Sequence, residues 1–554
     1  MLQVASRDLY QSVAEEQQTV SRALPSDRGE IFLREGGGMY PIAVNRQYFL
    51  AYTVPSEIGD IDRMVDEIHR ALDLDPVFLR DRFSKKNDPF EVLKHRLSEE
   101  EVDRIRSLSD KSGIYLLPEV YRYYPADNLA SQVLGFVGMK DDEYVGRYGI
   151  EAFYEKDLQG VSGIASGTRD ASGRWITLTR RELTPPEHGD NLLLTIERVI
   201  QYEVEKILQE SLKLFDADSG TIIVMDPKTG SILALASSPD FNPNEYSKVE
   251  DVKFFVNPAV SFTYEPGSIM KPITMAMGIN EGKVNPQTEY IDTGVVQEAG
   301  YAIRNAEDKV YGRSNMITVL NESINTGMIF VERLVGNERF REYLEQFGFG
   351  SKTGIELPAE VGGNLRNLAN TSARKSLEFY TASFGQGITV TPLQIVSAFS
   401  ALANDGVRMK PRIVDRVFST DGQSREIPPE EVASVISVES AKTIGTMLRD
   451  VVVNGHGKRA DVPGYLVGGK TGTAQVAKSG EKGYEEGMNI GSFVGYAPLN
   501  DPRFVVLVKI DNPKTVTWAE SSAAPTFGRV MKFLLKYARI EPTEEVKKIE
   551  SNSE

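Results

Sequence analysis

The chain has 554 residues, 41% of them hydrophobic and 26% charged, so it is long enough for two to four domains and has enough apolar material for their cores. Its 63 basic and 79 acidic side chains give a formal net charge of −16, which argues against nucleic acid as a partner because such binding needs a basic surface. Cysteine is absent and the four histidines lack ligand spacing, which excludes disulfides and cysteine nucleophiles and predicts neither a metal site nor a Ser-His-Asp triad.

The first third of the sequence predicts a mixed α/β region without catalytic motifs. Residues 2–24 are typical of a polar helix or arm, and a turn leading into a strand follows at 25–32. Apolar residues three and four apart predict an amphipathic helix within residues 56–74. Ser98 and Glu101 have the spacing of a capping box at the start of a second helix. We expect these helices to serve packing, not chemistry.

A turn-rich polar stretch at residues 182–191 is the predicted domain boundary. It divides the chain into a non-catalytic domain, residues 1–190, and a catalytic domain, residues 191–542. Within the first domain the helices form a head insertion at about residues 56–116. The polar residues 543–554 are expected to be a disordered tail.

The second domain is predicted to be α+β. A short strand becomes a helix within residues 191–210, and two apolar strands around Asp226-Pro-Lys-Thr-Gly230 predict a hairpin. A second hairpin is predicted at residues 492–510, and a helix from about Pro525. Strands at both ends with helices between them predict an antiparallel sheet with segregated helices.

Three short motifs carry the chemistry of the second domain: Ser268-Ile-Met-Lys271, Ser323-Ile-Asn325 and Lys470-Thr-Gly-Thr473. Each is weak alone, since Ser372-Ala-Arg-Lys375 repeats the first and Lys-Thr-Gly also occurs at residues 228 and 352. Context distinguishes them. Ser268 stands at the start of an apolar helix, and two glycines precede Lys470 on a strand, where a ligand or another backbone could approach closely.

Ser268 and Lys271 are spaced for nucleophilic catalysis. Residues three apart share one helix face, so the Lys271 amine can reach the Ser268 hydroxyl. Burial lowers the pKa of a lysine towards a range in which its neutral amine accepts a proton. Such a pair activates the hydroxyl for attack on a carbonyl and formation of an acyl-enzyme.

The other two motifs supply polar groups around that pair. Backbone N–H groups of Ser268 and of the strand near Thr473 are candidates for binding an oxyanion. Ser323 and Asn325 alternate by two, so both can point into a cleft. Lys470, with the hydroxyl of Thr471 or Thr473, would attract a substrate carboxylate.

This triple motif resembles that of the class B penicillin-binding proteins, the monofunctional D,D-transpeptidases, and is closer to their division-type members. The resemblance extends over nearly the whole chain. In the catalytic part it includes Asp226-Pro-Lys-Thr-Gly230, Asn257-Pro-Ala-Val260, Tyr264-Glu-Pro-Gly-Ser268, Ser383-Phe-Gly-Gln-Gly387, Thr391-Pro-Leu-Gln394, Lys470-Thr-Gly-Thr-Ala-Gln475 and Phe493-Val-Gly-Tyr-Ala-Pro498. In the first domain, similar to the family's pedestal, it includes Arg28-Gly-Glu-Ile31, Tyr124-Pro125, Leu134-Gly-Phe-Val-Gly138 and Gly149-Ile-Glu151.

The resemblance implies roles for residues of all three motifs. Ser268 would be the acylated nucleophile and Lys271 its general base, with Ser323 and Asn325 as the second element. Lys470 would act with Thr471, Gly472 and Thr473 as the substrate-binding strand. The implied substrate is a peptidoglycan stem peptide ending in D-Ala-D-Ala, β-lactams would acylate the serine, and no cofactor is implied.

The resemblance also implies an extracytoplasmic enzyme held by an N-terminal membrane helix, with a membrane glycan polymerase and division or elongation proteins as partners. The sequence contains no run of about 18 apolar residues, and Met1-Leu-Gln-Val4 is typical of the end of such a helix, so we expect a truncated start. Alternatives that remain open are a D,D-carboxypeptidase, a serine β-lactamase and a non-catalytic β-lactam-binding scaffold or sensor.

Overall fold

The computed structural model describes residues 19–24, 26–108, 113–141, 143–168, 182–372, 376–477 and 483–543. The chain forms two compact units, one of residues 1–41 with 126–554 and the other of residues 42–125. The predicted division at residue 190 stays a prediction. The expected arm up to residue 18 and the expected tail from residue 544 lie outside the described residues.

The strands, in chain order, are β1 (Thr19–Leu24), β2 (Ile31–Glu35), β3 (Gly38–Thr53), β4 (Glu91–Leu97), β5 (Ile114–Tyr123), β6 (Phe136–Lys140), β7 (Glu143–Arg147), β8 (Gly163–Thr168), β9 (Glu182–Thr184), β10 (Asn191–Glu197), β11 (Ser219–Met225), β12 (Ile232–Ser238), β13 (Glu289–Asp292), β14 (Val295–Glu298), β15 (Tyr301–Arg304), β16 (Gly312–Asn315), β17 (Val407–Met409), β18 (Val414–Phe418), β19 (Ser424–Glu426), β20 (Glu431–Ser434), β21 (Gly468–Ala477), β22 (Tyr484–Ala497) and β23 (Phe504–Asp511). The α-helices are α1 (Ile61–Leu72), α2 (Pro76–Ser84), α3 (Glu99–Arg106), α4 (Ser131–Leu134), α5 (Gly149–Phe153), α6 (Glu155–Gln159), α7 (Arg198–Phe215), α8 (Pro258–Ser261), α9 (Lys271–Asn280), α10 (Met316–Asn321), α11 (Asn325–Val335), α12 (Asn337–Gln346), α13 (Ser376–Ser383), α14 (Pro392–Ala403), α15 (Val438–Val453) and α16 (Ala523–Tyr537). None of the helices in these described ranges is both long and apolar enough to cross a membrane.

The unit of residues 42–125 is a small sheet with three helices. Its part of β3 pairs antiparallel with β4 and with β5. Helix α1 confirms the predicted amphipathic pattern, because its buried residues join one apolar cluster with residues of the sheet. The predicted capping box is also confirmed: the Ser98 hydroxyl accepts from the Glu101 N–H, and the Glu101 carboxylate accepts from the Ser98 N–H.

The N-terminal part of the other unit is formed by strands from distant parts of the chain. Thr19–Leu24 was predicted as part of a helix or arm, but it forms strand β1, which pairs antiparallel with β8. This pairing joins segments far apart in sequence, so no local pattern could indicate it. Strand β2, predicted correctly, runs parallel to β10, which also pairs antiparallel with β18.

An ion-pair network joins two of the motifs quoted for the first domain. The Arg28 guanidinium donates to the Glu151 carboxylate at 2.8 Å and to the Glu155 carboxylate at 2.6 Å. The Glu151 side chain is fully buried and that of Arg28 is only 11% exposed. The network therefore ties the segment before β2 to the start of helices α5 and α6.

The catalytic region is an antiparallel sheet covered by helices, as predicted. Five strands pair in the order β12-β11-β23-β22-β21, and both predicted hairpins are confirmed. Helices α7 and α16 bury their apolar faces against one side of the sheet. Helix α14, buried along its whole length, contacts β11, β22 and β23. Strand β21, which carries Lys470, lies at one end of this order.

Candidate active site

Ser268 lies in a single 3₁₀ turn that leads into helix α9. The turn spans Gly267–Met270, and the Lys271 backbone N–H donates to the Ser268 carbonyl at its end. Side chains three residues apart eclipse in this geometry, so Ser268 and Lys271 share one face, as the spacing predicts. Ser268 is half-buried and lines a cleft, whereas Lys271 is 0% exposed.

Glycines hold this turn close to its neighbours. Gly267 has a φ of +57°, and its N–H donates to the Gly385 carbonyl at 3.0 Å. A Cβ at Gly385 would lie 2.2 Å from the Gly267 carbonyl oxygen. On the other side, a Cβ at Gly472 would lie 2.9 Å from the Ile269 side chain and 3.1 Å from the Pro266 carbonyl oxygen. Gly472 thus allows β21 to approach the turn Gly267–Met270, which is called the nucleophile turn after the role predicted for Ser268.

The two glycines before Lys470 serve packing inside the catalytic region. A Cβ at Gly468 would meet the Leu499 side chain at 2.8 Å, and one at Gly469 would meet the Phe493 ring at 2.5 Å. Another backbone does come close at Gly469, where a Cβ would lie 2.8 Å from the Val494 carbonyl oxygen, and the other near neighbours are apolar side chains of the protein.

The Lys271 amine is held by Ser323. Its Nζ donates to the Ser323 carbonyl oxygen and lies 3.0 Å from the Ser323 hydroxyl. Burial, and next the positive charge of Lys470, lower the pKa of Lys271 well below its ordinary value. These two causes favour the neutral amine, which is the form that can accept a proton.

Ser323 and Asn325 occupy the junction between helices α10 and α11. Ser323 has a φ of +55°, a left-handed conformation that is uncommon outside glycine and that recurs at functional sites. Asn325 is the first residue of α11, and its Nδ2 donates to the Arg304 carbonyl at 2.9 Å. Both residues line the same cleft as Ser268.

Lys470 lies behind the cleft wall. It is 0% exposed, and its Nζ donates to the Thr471 carbonyl at 3.0 Å and to the Thr471 hydroxyl at 3.2 Å. Burial lowers the pKa of Lys470 to about 7, although the Glu520 carboxylate acts in the opposite direction. The hydroxyl of Thr473 accepts from the Ala519 N–H at 3.1 Å. Thr471 and Thr473 are the residues of this motif that line the cleft.

The structure therefore brings the three motifs together at one cleft of about 1220 Å³. Residues of all three motifs line it: Ser268, Ser323, Asn325, Thr471 and Thr473. The two lysines lie buried next to these residues, and Gly472 lies against the nucleophile turn. The cleft thus combines the Ser268 hydroxyl, a buried amine and an array of other hydroxyl and amide groups.

Other polar groups at the cleft had no signal in the sequence. His456, one of the four histidines without ligand spacing, lines it with its Nδ1 2.8 Å from the Glu520 carboxylate. Asp292 is buried next to Asn305, which lines the cleft, and its carboxylate accepts hydrogen bonds from the side chains of Asn305 and Thr326, which are distant in sequence. Within the described ranges, no group of three His, Asp or Glu side chains is arranged to hold a metal ion.

Comparison with known proteins identifies the family. The penicillin-binding protein transpeptidase domain matches residues 220–532, and the penicillin-binding protein dimerisation domain matches residues 23–194.

Stage V sporulation protein D of Bacillus subtilis is 34% identical over 94% of this chain and 80% of its own length. The peptidoglycan D,D-transpeptidase FtsI homolog of Mesostigma viride is 28% identical over 98% of this chain and 93% of its own. The crystal structure of penicillin-binding protein 3 from Mycobacterium tuberculosis, complexed with aztreonam, superimposes with a TM-score of 0.72 at 26% identity, covering 94% of this chain and 98% of that one. The chain belongs to the class B penicillin-binding proteins, with a transpeptidase domain following a dimerisation domain.

Proposed function

We propose that the protein is a serine D,D-transpeptidase that cross-links peptidoglycan stem peptides and is acylated by β-lactams at Ser268. The observation that carries this proposal is the buried Lys271 amine, one helical turn from the Ser268 hydroxyl, with its pKa well below the ordinary value. The similarity to a peptidoglycan D,D-transpeptidase FtsI homolog supports the reaction class.

Acylation begins with proton transfer from Ser268 to Lys271. A neutral amine has two N–H donors and one lone pair, and Ser323 offers the Lys271 Nζ two partners, its carbonyl and its hydroxyl. The lone pair is then free for the Ser268 proton. The Ser268 oxygen attacks the carbonyl carbon of the penultimate D-Ala, and the new oxyanion accepts hydrogen bonds from N–H groups of Ser268 and of β21 near Thr473.

Collapse of the tetrahedral intermediate breaks the peptide bond and leaves an acyl-enzyme. The proton held by Lys271 passes through the Ser323 hydroxyl to the nitrogen of the departing D-Ala. In the second half-reaction, an amino group of a neighbouring stem peptide attacks the ester carbonyl. Its proton goes to Lys271 and from there to the Ser268 oxygen, which restores the free enzyme.

Recognition of the donor peptide falls to the residues around this pair. The Thr471 and Thr473 hydroxyls, with the Lys470 charge behind them, suit the terminal carboxylate of D-Ala-D-Ala. The Asn325 side chain can form hydrogen bonds with an amide of the peptide.

The setting of the reaction follows from its substrate. Peptidoglycan is assembled outside the bacterial cell membrane, so the enzyme acts on the extracytoplasmic face. Its expected partners are a membrane glycan polymerase and proteins of the division or elongation machinery. Purification of the cell envelope followed by cross-linking tests both expectations, and recovery of the protein in the cytosolic fraction alone would count against them.

Labelling with a fluorescent penicillin, followed by mass spectrometry of the intact protein, tests the nucleophile. The native protein should gain the mass of one penicillin, and Ser268→Ala should gain none. Ser372→Ala, in the second Ser-x-x-Lys sequence, is the matched control and should label like the native protein. Labelling of Ser268→Ala at the native level contradicts the proposal.

The acceptor distinguishes cross-linking from hydrolysis. Incubation with a stem peptide ending in D-Ala-D-Ala and an amine acceptor should give the cross-linked product with release of D-Ala. A product that has lost D-Ala by hydrolysis and ends in a free carboxylate would identify a carboxypeptidase. Repeated turnover of nitrocefin would identify a β-lactamase.

A further inference from the structure

Asp292 is a buried carboxylate beside the cleft that takes no part in the steps above. It is the last residue of β13 and is 2% exposed. Its two oxygens accept hydrogen bonds from four groups, which belong to the loop after β13 and to helix α11. So many donors on one buried carboxylate indicate that it fixes the position of the segments that carry them.

The first of these segments is residues 293–311, which contain the hairpin of β14 and β15 and are called the loop below. The Gly294 N–H donates to the Asp292 carboxylate at 3.0 Å near the start of the loop, and the Tyr311 N–H donates at 2.7 Å at its end. Between them, the Asn305 amide donates to both carboxylate oxygens, at 3.1 and 3.0 Å. The same loop supplies part of the cleft wall, including Arg304.

The second segment is the first turn of helix α11. The Thr326 hydroxyl donates to the Asp292 carboxylate at 2.5 Å, and the Thr326 N–H donates to the Asn305 side-chain oxygen at 3.1 Å. Asn325, the preceding residue, donates to the Arg304 carbonyl at 2.9 Å. The carboxylate therefore holds both the residue after Asn325 and the loop that binds the Asn325 side chain.

The carboxylate of Asp292 is ionised in this position. Burial raises its pKa, but hydrogen bonds from Thr326, Tyr311, Gly294 and Asn305 outweigh burial and lower the pKa below the ordinary value. An ionised carboxylate accepts only, whereas an amide in its place would direct N–H donors at groups that are themselves donors.

We propose that Asp292 is a positioning residue that sets the orientation of Asn325 towards the substrate. The proposal rests on the proposed function, since it concerns the geometry in which Asn325 meets the donor peptide or a β-lactam. Asp292 acts through the loop and the helix turn and does not touch the reacting atoms.

Asp292→Asn should lower the acylation rate constant at saturating fluorescent penicillin by about 10- to 100-fold, because small misplacements of an orienting group have effects of this size. Glu360→Gln is the matched control. Glu360 is also buried and accepts from the Thr353 N–H at 2.7 Å and the Gly354 N–H at 3.1 Å, but it does not line the cleft. The Glu360→Gln variant should acylate within about twofold of the native rate, even if its melting temperature falls as much as that of Asp292→Asn.

A double-mutant cycle separates positioning from general loss of structure. If Asp292 acts through Asn325, then Asp292→Asn in an Asn325→Ala background should lower the rate by less than about twofold. A full additional loss in that background overturns the proposal, as does native-like acylation by Asp292→Asn. If Asp292→Asn does not fold, Thr326→Val takes its place in the cycle, since it removes one donor and leaves the carboxylate intact.

Failure of this proposal is distinguishable from failure of the proposed function. Native protein that gains no penicillin, or Ser268→Ala that gains it, counts against the function. Native labelling at Ser268 with independent effects of the Asp292 and Asn325 variants counts only against the positioning role.

Discussion

Lys271 and Lys470 both lie buried at the site, and a positive charge on Lys470 disfavours one on Lys271. Lys271 and Lys470 are both 0% exposed, so each loses hydration, and the charge of Lys470 further lowers the pKa of Lys271. The Glu520 carboxylate favours the charged form of Lys470. These causes favour a neutral Lys271 and, through Glu520, a charged Lys470, which are the forms that the proposed general base and the proposed substrate cation require.

The pKa of Lys470 predicts a pH dependence of donor binding. Because this pKa is lowered to about 7, the ammonium is present below that pH and lost above it. The KM for a D-Ala-D-Ala peptide should therefore rise as the pH increases through about 7. Measurement of KM from pH 5 to pH 9 checks this.

Two comparisons make this prediction specific to Lys470. Glu520→Gln should move the rise in KM to lower pH, because it removes the carboxylate that raises the pKa of Lys470. A peptide with a C-terminal amide has no carboxylate to bind, so an identical pH dependence for that peptide would refute the assignment.

At the scale of elements, the site depends on close contact between the nucleophile turn and β21. A Cβ at Gly472 would lie within about 3 Å of the Ile269 side chain, the Ser492 hydroxyl and the Pro266 carbonyl, so the turn and the strand would have to separate. Gly472→Ala should therefore slow acylation by at least about tenfold and lower the free energy of unfolding by about 1–3 kcal/mol.

Acylation kinetics and urea unfolding measure these two effects. Gly59→Ala is the control, since a Cβ there meets no atom within 4 Å and the residue lies outside the catalytic region. Native kinetics in Gly472→Ala would mean that the turn tolerates separation from the strand.

The elements predicted from sequence are those with local signals. The capping box at Ser98, the hairpin around Asp226-Pro-Lys-Thr-Gly230 and the shared face of Ser268 and Lys271 each depend on residues a few positions apart, and each is present. Strand β1 was missed because its partner β8 lies far along the chain. Pattern alone could therefore predict the type of an element but not a distant pairing.

The same limit applies to the site. The three motifs indicated which residues meet at the cleft. Their order along the chain and the residues next to them match the pattern of the penicillin-binding proteins. They did not indicate that Lys470 is buried behind Thr471 and not in the cleft itself. The position of Lys470 depends on which face of β21 is turned to the interior. Asp292 carried no sequence signal, because its partners Asn305 and Thr326 become neighbours only in the folded protein.

At the scale of the molecule, the Arg28 network links segments more than a hundred residues apart. Arg28→Met removes the cation that pairs with the buried Glu151 carboxylate, which should lower the free energy of unfolding by about 3–5 kcal/mol. Acylation per folded molecule should stay native, since none of these residues lines the cleft. Urea unfolding and penicillin labelling measure the two quantities.

An exposed ion pair provides the comparison. Arg80→Met breaks the pair with Asp62, where the two side chains are 60% and 82% exposed, and should change the free energy of unfolding by less than about 1 kcal/mol. Equal effects of the two substitutions would show that burial of the Arg28 network contributes nothing.

Strand β10 has consequences for how the chain is made. It pairs with β2, which is translated long before it, and with β18, which is translated long after it. As the chain emerges, the edge of β2 that pairs with β10 therefore stays open until β10 follows, and β10 then keeps one edge open until β18 follows. Unpaired strand edges promote association between chains, so copies that emerge side by side are exposed to mispairing during this interval.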